Sequence, residues 1–143
     1  MSQSFEDLEV FKRAVDLMEA VYRETEAFPQ HERYGLTAQI RRASFSVISH
    51  LAEGQGRLTL GEWRQMLSQA RGSLFEVQAQ LIGSHRLKYL ADEPYAKLRT
   101  AVKRVAQPLT GLIRYVQRRE RQPKTDNRQP ATEEVPAKKQ PSP

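Results

Sequence analysis

The stretch TLGEWRQMLSQARGSLFEVQAQLIGSHRL, residues 59–87, decides the fold. Trp63, Leu67, Ala70, Leu74, Val77 and Leu81 alternate steps of four and three, a heptad seam sustained for almost three repeats. Thr59-Leu60-Gly61-Glu62 reads as a capping box: the threonine accepts from a backbone N–H and the glutamate sits at the positive helix end. Leu58 and Trp63 fit a hydrophobic staple across that start. The spacing therefore predicts one long helix with a single apolar seam, which must be covered by other helices.

The flanking segments supply them. Upstream, Leu36, Ile40, Ala43, Val47 and Leu51 give a stripe for a helix over about Tyr34–Glu53, stopped by Gly54-Gln55-Gly56. Further back, a helix is expected from about Phe5 to Glu26, capped by Ser4 and ended by Phe28-Pro29. It carries two adjacent stripes: Leu8, Phe11, Val15, Met18 and Tyr22, and beside them Val10, Ala14, Leu17 and Val21. Together they cover about half the circumference, more than the ~100° one core face needs. The second stripe is therefore assigned to an oligomer interface. Downstream, Asp92-Glu93-Pro94 starts a fourth helix with Asp92 as its cap, and Leu98, Val102, Val105, Leu109, Leu112 and Val116 form its seam. Pro108 falls inside this pattern and should kink or break the helix. Four amphipathic helices on short links predict an all-α, antiparallel up-down-up-down four-helix bundle.

The bundle is expected to occupy residues 1–119, with 120–143 a disordered tail. Five of the chain's eight prolines lie there, with no aromatic residue and Val135 as the one branched aliphatic. The chain has no cysteine, which excludes disulfides and thiolate chemistry. The N-terminus shows neither a basic start nor an apolar run, and nothing approaches the ~18 apolar residues of a membrane span. A cytoplasmic protein without membrane association is expected.

The net charge of +6 is unevenly placed. Residues 1–26 hold seven acids and three bases, whereas residues 96–119 hold seven bases and no acid. Arg99, Lys103, Arg114 and Arg118 fall on one band of the fourth helix, opposite its seam, with Lys97 and Arg104 flanking. A solvated face normally mixes signs, so this band points to an anionic partner. Arg41 and Arg57 are added as further phosphate contacts. Arg42 with Glu53 or Glu76, beside Ser73, is expected to form a half-buried polar network holding the second and third helices in register. Gly72 and Ser73 would let another helix approach closely. His31, His50 and His85 are dispersed, so neither a metal site nor a cofactor is expected. The glycines at 54 and 56 match no phosphate-binding fingerprint, since no strand precedes them.

Phe28-Pro29, Glu32, Tyr34-Gly35-Leu36, Gln39-Ile40-Arg41-Arg42-Ala43, Ser46, Ala52-Glu53-Gly54, Gly56-Arg57, Ala70, Gly72-Ser73 and Glu76, in that order, carry a resemblance. The chain resembles the small four-helix bundle proteins encoded in intervening sequences of large-subunit ribosomal RNA genes. That family is related to the accessory variability determinants of diversity-generating retroelements. His50-Leu51 stands where the family has asparagine-isoleucine. The resemblance implies a ring homo-oligomer, typically a pentamer, with a basic surface for RNA or DNA and, in retroelement members, a reverse transcriptase partner. No enzymatic activity is expected. The alternative is an oligomeric scaffold for an acidic protein partner.

Overall fold

The computed structural model of the chain describes residues 4–122. Four helices make it up: α1 over Glu9–Thr25, α2 over Leu36–Gln55, α3 over Leu60–Arg86 and α4 over Asp92–Arg121. Two 3₁₀ turns, Phe5–Asp7 and Gln30–Glu32, complete the described residues, which include no strand. Helices in sequence order pack against each other and α1 closes on α4. Arg41 near the start of α2 meets Thr25 at the end of α1, and Arg64 at the start of α3 meets Glu120 at the end of α4. These pairings are consistent with an up-down-up-down course.

The seams lie where their periodicity puts them. Trp63, Leu67, Ala70, Leu74, Val77 and Leu81 of α3 are buried, as are Leu98, Val102, Val105, Leu109, Leu112 and Val116 of α4. From α2, Ile40, Ala43, Val47 and Leu51 join them. Burying each such leucine or valine contributes about 1.5–3 kcal/mol, before the entropy that opposes it. Thr59 caps α3 by accepting from the Glu62 N–H at 3.1 Å. Leu58 remains 62% exposed, so the expected staple does not form.

The assignment of α1 is corrected. Val10, Ala14, Leu17 and Val21, the expected oligomer interface, are completely buried in the chain's own core. The half-exposed stripe is the other one, Phe11, Val15, Met18 and Tyr22. The inner stripe is the one that α1 turns toward α2 and α4, and both helices pack against it. The helix also starts later than expected. Ser4 caps a 3₁₀ turn by accepting from the Glu6 N–H, and Leu8 is extended before α1 begins.

Glu32 ties two links together. One carboxylate oxygen accepts from the Leu36 N–H at 3.1 Å and so caps α2. The other accepts from the Tyr89 hydroxyl at 3.0 Å, on the α3–α4 link. These bonds hold the Glu32 carboxyl below its ordinary pKa, the backbone N–H first and the tyrosine second, and raise that of Tyr89. At the end of α3 the Tyr89 N–H bonds the Ser84 carbonyl and the Lys88 N–H bonds His85, a Schellman motif. Lys88 takes the left-handed φ of 65° that glycine usually supplies there. No glycine has a positive φ, so α2 ends at Gly56 in a right-handed conformation, without a left-handed cap.

Pro108 does not break α4, which runs on to Arg121. Its ring removes the N–H that would pair with the Arg104 carbonyl. That carbonyl accepts instead from Arg13 Nη1 of α1, at 3.0 Å. Arg13 is only 6% exposed, and its Nε lies 3.2 Å from Glu9. Asp92 is the first residue of α4 rather than its cap, and its carboxylate lies 2.7 Å from His85 Nε2. The expected boundary at 119 also shifts, because Arg64 holds Glu120 at 2.6 Å and keeps it in the bundle. Beyond Gln122, the segment expected to be a disordered tail lies outside the described residues.

Candidate nucleic-acid interface

The outer face of α4 carries the densest charge. Lys97, Lys103, Arg104, Arg114 and Arg118 are exposed, and none makes an ion pair among the described residues. The acidic α1 packs beside α4, yet no side-chain ion pair joins the two helices among the described residues. Among the described residues, no acid pairs with Lys97, Lys103, Arg104, Arg114 or Arg118.

Two tyrosines steer arginines along this helix. Arg99 Nη1 donates to the Tyr95 hydroxyl at 2.7 Å, with the guanidinium 5.5 Å from the ring centre. Arg119 Nη1 donates to the Tyr115 hydroxyl at 3.1 Å. Both are i,i+4 pairs, which place the side chains on one face. Arg99 is half-buried, so its contribution to the band is fixed in direction.

The structure separates the two added arginines. Arg57 is exposed on the α2–α3 link, 3.8 Å from the Met66 sulfur. Arg41 is instead consumed inside the bundle. It donates to Thr25 Oγ1 at 2.8 Å and to the Tyr22 carbonyl at 3.3 Å, lies 3.4 Å from Glu26, and covers the Tyr22 ring at 4.6 Å. A guanidinium so engaged would have to abandon α1 to meet a phosphate, and Arg41 is withdrawn from the interface.

The expected polar network is also absent. Arg42 is exposed and makes no ion pair among the described residues. Glu53 lies 3.4 Å from His50 Nδ1, and Glu76 accepts from Gln80 at 3.4 Å. Ser73 is half-buried without joining them. Eleven residues of helix separate Arg42 from Glu53, roughly 16 Å at 1.5 Å per residue, so those two could not meet. A close approach between α2 and α3 occurs instead at Gly54. A Cβ there would lie 3.0 Å from Trp63 Cδ1 and 3.1 Å from Met66 Cβ. Gly72, by contrast, faces open space.

Phe75 was not among the expected residues. It is 52% exposed on α3, with the Arg71 guanidinium 4.8 Å from its ring centre. The i,i+4 arginine–phenylalanine spacing was visible in the sequence, but which neighbour it faced was not.

The three histidines have separate partners and form no metal-binding cluster among the described residues. His85 stacks on Tyr95 with ring centres 4.1 Å apart, and His31 Nε2 lies 3.4 Å from the Tyr89 hydroxyl. No helix among the described residues is long and apolar enough to cross a membrane.

Residues 6–111 match a protein-family model described as 23S rRNA-intervening sequence protein. A search of curated proteins gave no match.

Proposed function

Because the chain belongs to the 23S rRNA-intervening sequence protein family, we propose that it is a non-enzymatic, ring-forming accessory protein that binds nucleic acid, RNA or RNA–DNA, through the basic face of α4. The observation that carries this reading is the group Lys103, Arg104, Arg114 and Arg118, exposed on a helix without an acid from 96 to 119 and unpaired within the described fold. Such a surface neutralises phosphates and reads little sequence. A family named for 23S rRNA intervening sequences makes RNA the first polymer to test. Kinship with the accessory variability determinants of retroelements extends the reading to assistance of a reverse transcriptase.

Ring assembly, as a pentamer, rests on the half-exposed Phe11, Val15, Met18 and Tyr22 rather than on the buried stripe. Tyr22 meets the exposed Phe45 of α2 at 5.8 Å, so the apolar face spans both helices. Repeating the basic face around a ring would raise avidity without new contacts. Light scattering at micromolar concentration should give a multiple of the 16.5 kDa chain mass; a monomer mass would end the ring proposal.

The binding test is an anisotropy titration with mixed-sequence RNA and DNA at several salt concentrations. Affinity should fall with salt at a log–log slope of roughly 0.9 per neutralised duplex phosphate, or about 0.7 on single strands. Changing Lys103, Arg104, Arg114 and Arg118 together to glutamine should weaken every sequence alike and leave the helical content intact. Binding indifferent to this change would move the function to a scaffold for an acidic protein.

A further inference from the structure

The groove between α3 and α4 adds a second chemistry to the basic face. Arg64 of α3 reaches Glu120 of α4 at 2.6 Å, which identifies the sides the two helices turn toward each other. Phe75 stands eleven residues beyond Arg64, close to three turns, and Ile82 a further seven, close to two. Both therefore rise on the α4 side of α3. On α4, Ile113, Ala106 and Arg99 recede from Glu120 in steps of seven and face α3 in turn. Ile113 and Ala106 are partly buried against the core. The groove is thus floored by small and aliphatic groups, with the half-exposed Phe75 and Ile82 on its α3 wall.

Cations flank the ring. Arg71 lies over it at 4.8 Å, and Arg99, Lys103 and Arg114 belong to the opposite helix. Glu120, at one end of the groove, is taken by Arg64, and Glu76, next to Phe75 in the chain, accepts from Gln80 at 3.4 Å. An exposed aromatic ring set among uncompensated cations suits a ligand that is anionic along its backbone and flat and apolar along its faces. A single-stranded nucleic acid has that combination. In a duplex the base faces are already stacked on one another, so only the phosphates remain available.

We propose that the α3–α4 groove is a stacking platform for single-stranded nucleic acid, in which Phe75 carries a base while Arg71, Lys103 and Arg114 hold the flanking phosphates. This rests on the nucleic-acid reading above and narrows it to the single-stranded form. The sequence of the strand matters little, because every base offers a π-face.

The test uses the full chain and three labelled probes: an oligo-dT strand, the same strand with abasic sites throughout its interior, and a mixed-sequence duplex. Phe75→Ala should weaken the oligo-dT complex by roughly 5- to 150-fold, the range that loss of one stacked base corresponds to. The abasic strand and the duplex should bind as they do to the unmodified chain, within about twofold, with an unchanged salt slope. Phe75→Trp should bind oligo-dT at least as tightly as phenylalanine does, and its emission should be quenched on binding. Trp63, 1% exposed, gives the background signal. Loss of affinity on all three probes, or on none, overturns the platform while leaving phosphate binding by α4 in place. A drop in assembled mass on Phe75→Ala also overturns it and gives the groove to a second copy of the chain. If the unmodified chain binds no probe at low salt, the nucleic-acid reading itself fails and the platform with it.

Discussion

Replacing Arg13 with methionine should destabilise the fold through a residue on another helix, Pro108. The methionine keeps most of the aliphatic stem in place and removes the guanidinium. The Arg104 carbonyl then loses the Nη1 donor at 3.0 Å, and the helix cannot replace it, because residue 108 has no N–H. The bond is part-buried, so leaving this carbonyl unpaired costs about 1–2 kcal/mol, short of the ~3 kcal/mol upper figure for a fully buried group. The ion pair to the more exposed Glu9 adds less than about 1 kcal/mol. The total is about 2 kcal/mol. With an unfolding entropy of about 2.1 cal/mol/K per residue over about 120 ordered residues, the thermal midpoint should fall by roughly 8 °C. The decisive measurement is a double-mutant cycle in denaturant at one fixed protein concentration. Pro108→Ala restores the N–H that the Arg104 carbonyl lacks, so in that background Arg13→Met should cost about 1–2 kcal/mol less. Equal costs in both backgrounds, within about 0.5 kcal/mol, would refute the claim that arginine and proline compensate one another.

Two glycines in helices should respond with opposite signs. Gly72→Ala, facing open space, should stabilise by about 0.5–1 kcal/mol, whereas Gly54→Ala, pressed on the buried Trp63, should destabilise by about 1 kcal/mol after its helix gain is counted; chemical denaturation reads both. Lys88→Gly relieves the left-handed φ of 65° at the end of α3 and should raise stability by about 0.5–1 kcal/mol in the same assay. Glu32 has a lowered pKa, so its contribution is full above its ordinary value of about 4.5 and disappears as pH falls through the lower folded value. Melts of the unmodified chain and of Glu32→Gln should therefore converge on acidification, and a constant gap down to the lowest pH would contradict this. Tyr89 runs the other way: its contribution persists up to pH 10 and is lost as pH rises through the raised folded value.

Periodicity carried most of the fold because a seam records its own burial. Every member of the α3 and α4 stripes is buried, and a step pattern of threes and fours needs no knowledge of neighbours. Helix α1 defeated the same reasoning. Two stripes of comparable hydrophobicity lay side by side, and the choice depended on which of them faces α2 and α4, which no local pattern encodes. Arg13 sat in the inner stripe as an apparent interruption, yet its burial follows from a carbonyl ninety-one residues away. The candidate site divides in the same manner. The exposure of Lys103, Arg104, Arg114 and Arg118 was legible as a one-signed band. The loss of Arg41 to Thr25 and Tyr22, and the appearance of Phe75 at the α4 groove, depend on which helix faces which. For the Arg42–Glu53 pair the rise of the helix alone would have sufficed to reject it.

The Glu32–Tyr89 bond has a mechanical consequence. It stitches the α1–α2 link to the α3–α4 link, so both lie at one end of the bundle, and the N-terminal side of α1 and the C-terminal side of α4 emerge at the other. A load applied between Ser4 and Arg121 would therefore peel α1 from α4 turn by turn, with no long shear plane to resist it. Arg13, in the second turn of α1, is the first polar tether between α1 and α4 that such a peel would meet among the described residues. Amide exchange should follow the same gradient, fast where the two chain ends leave and slowest beside the stitched links.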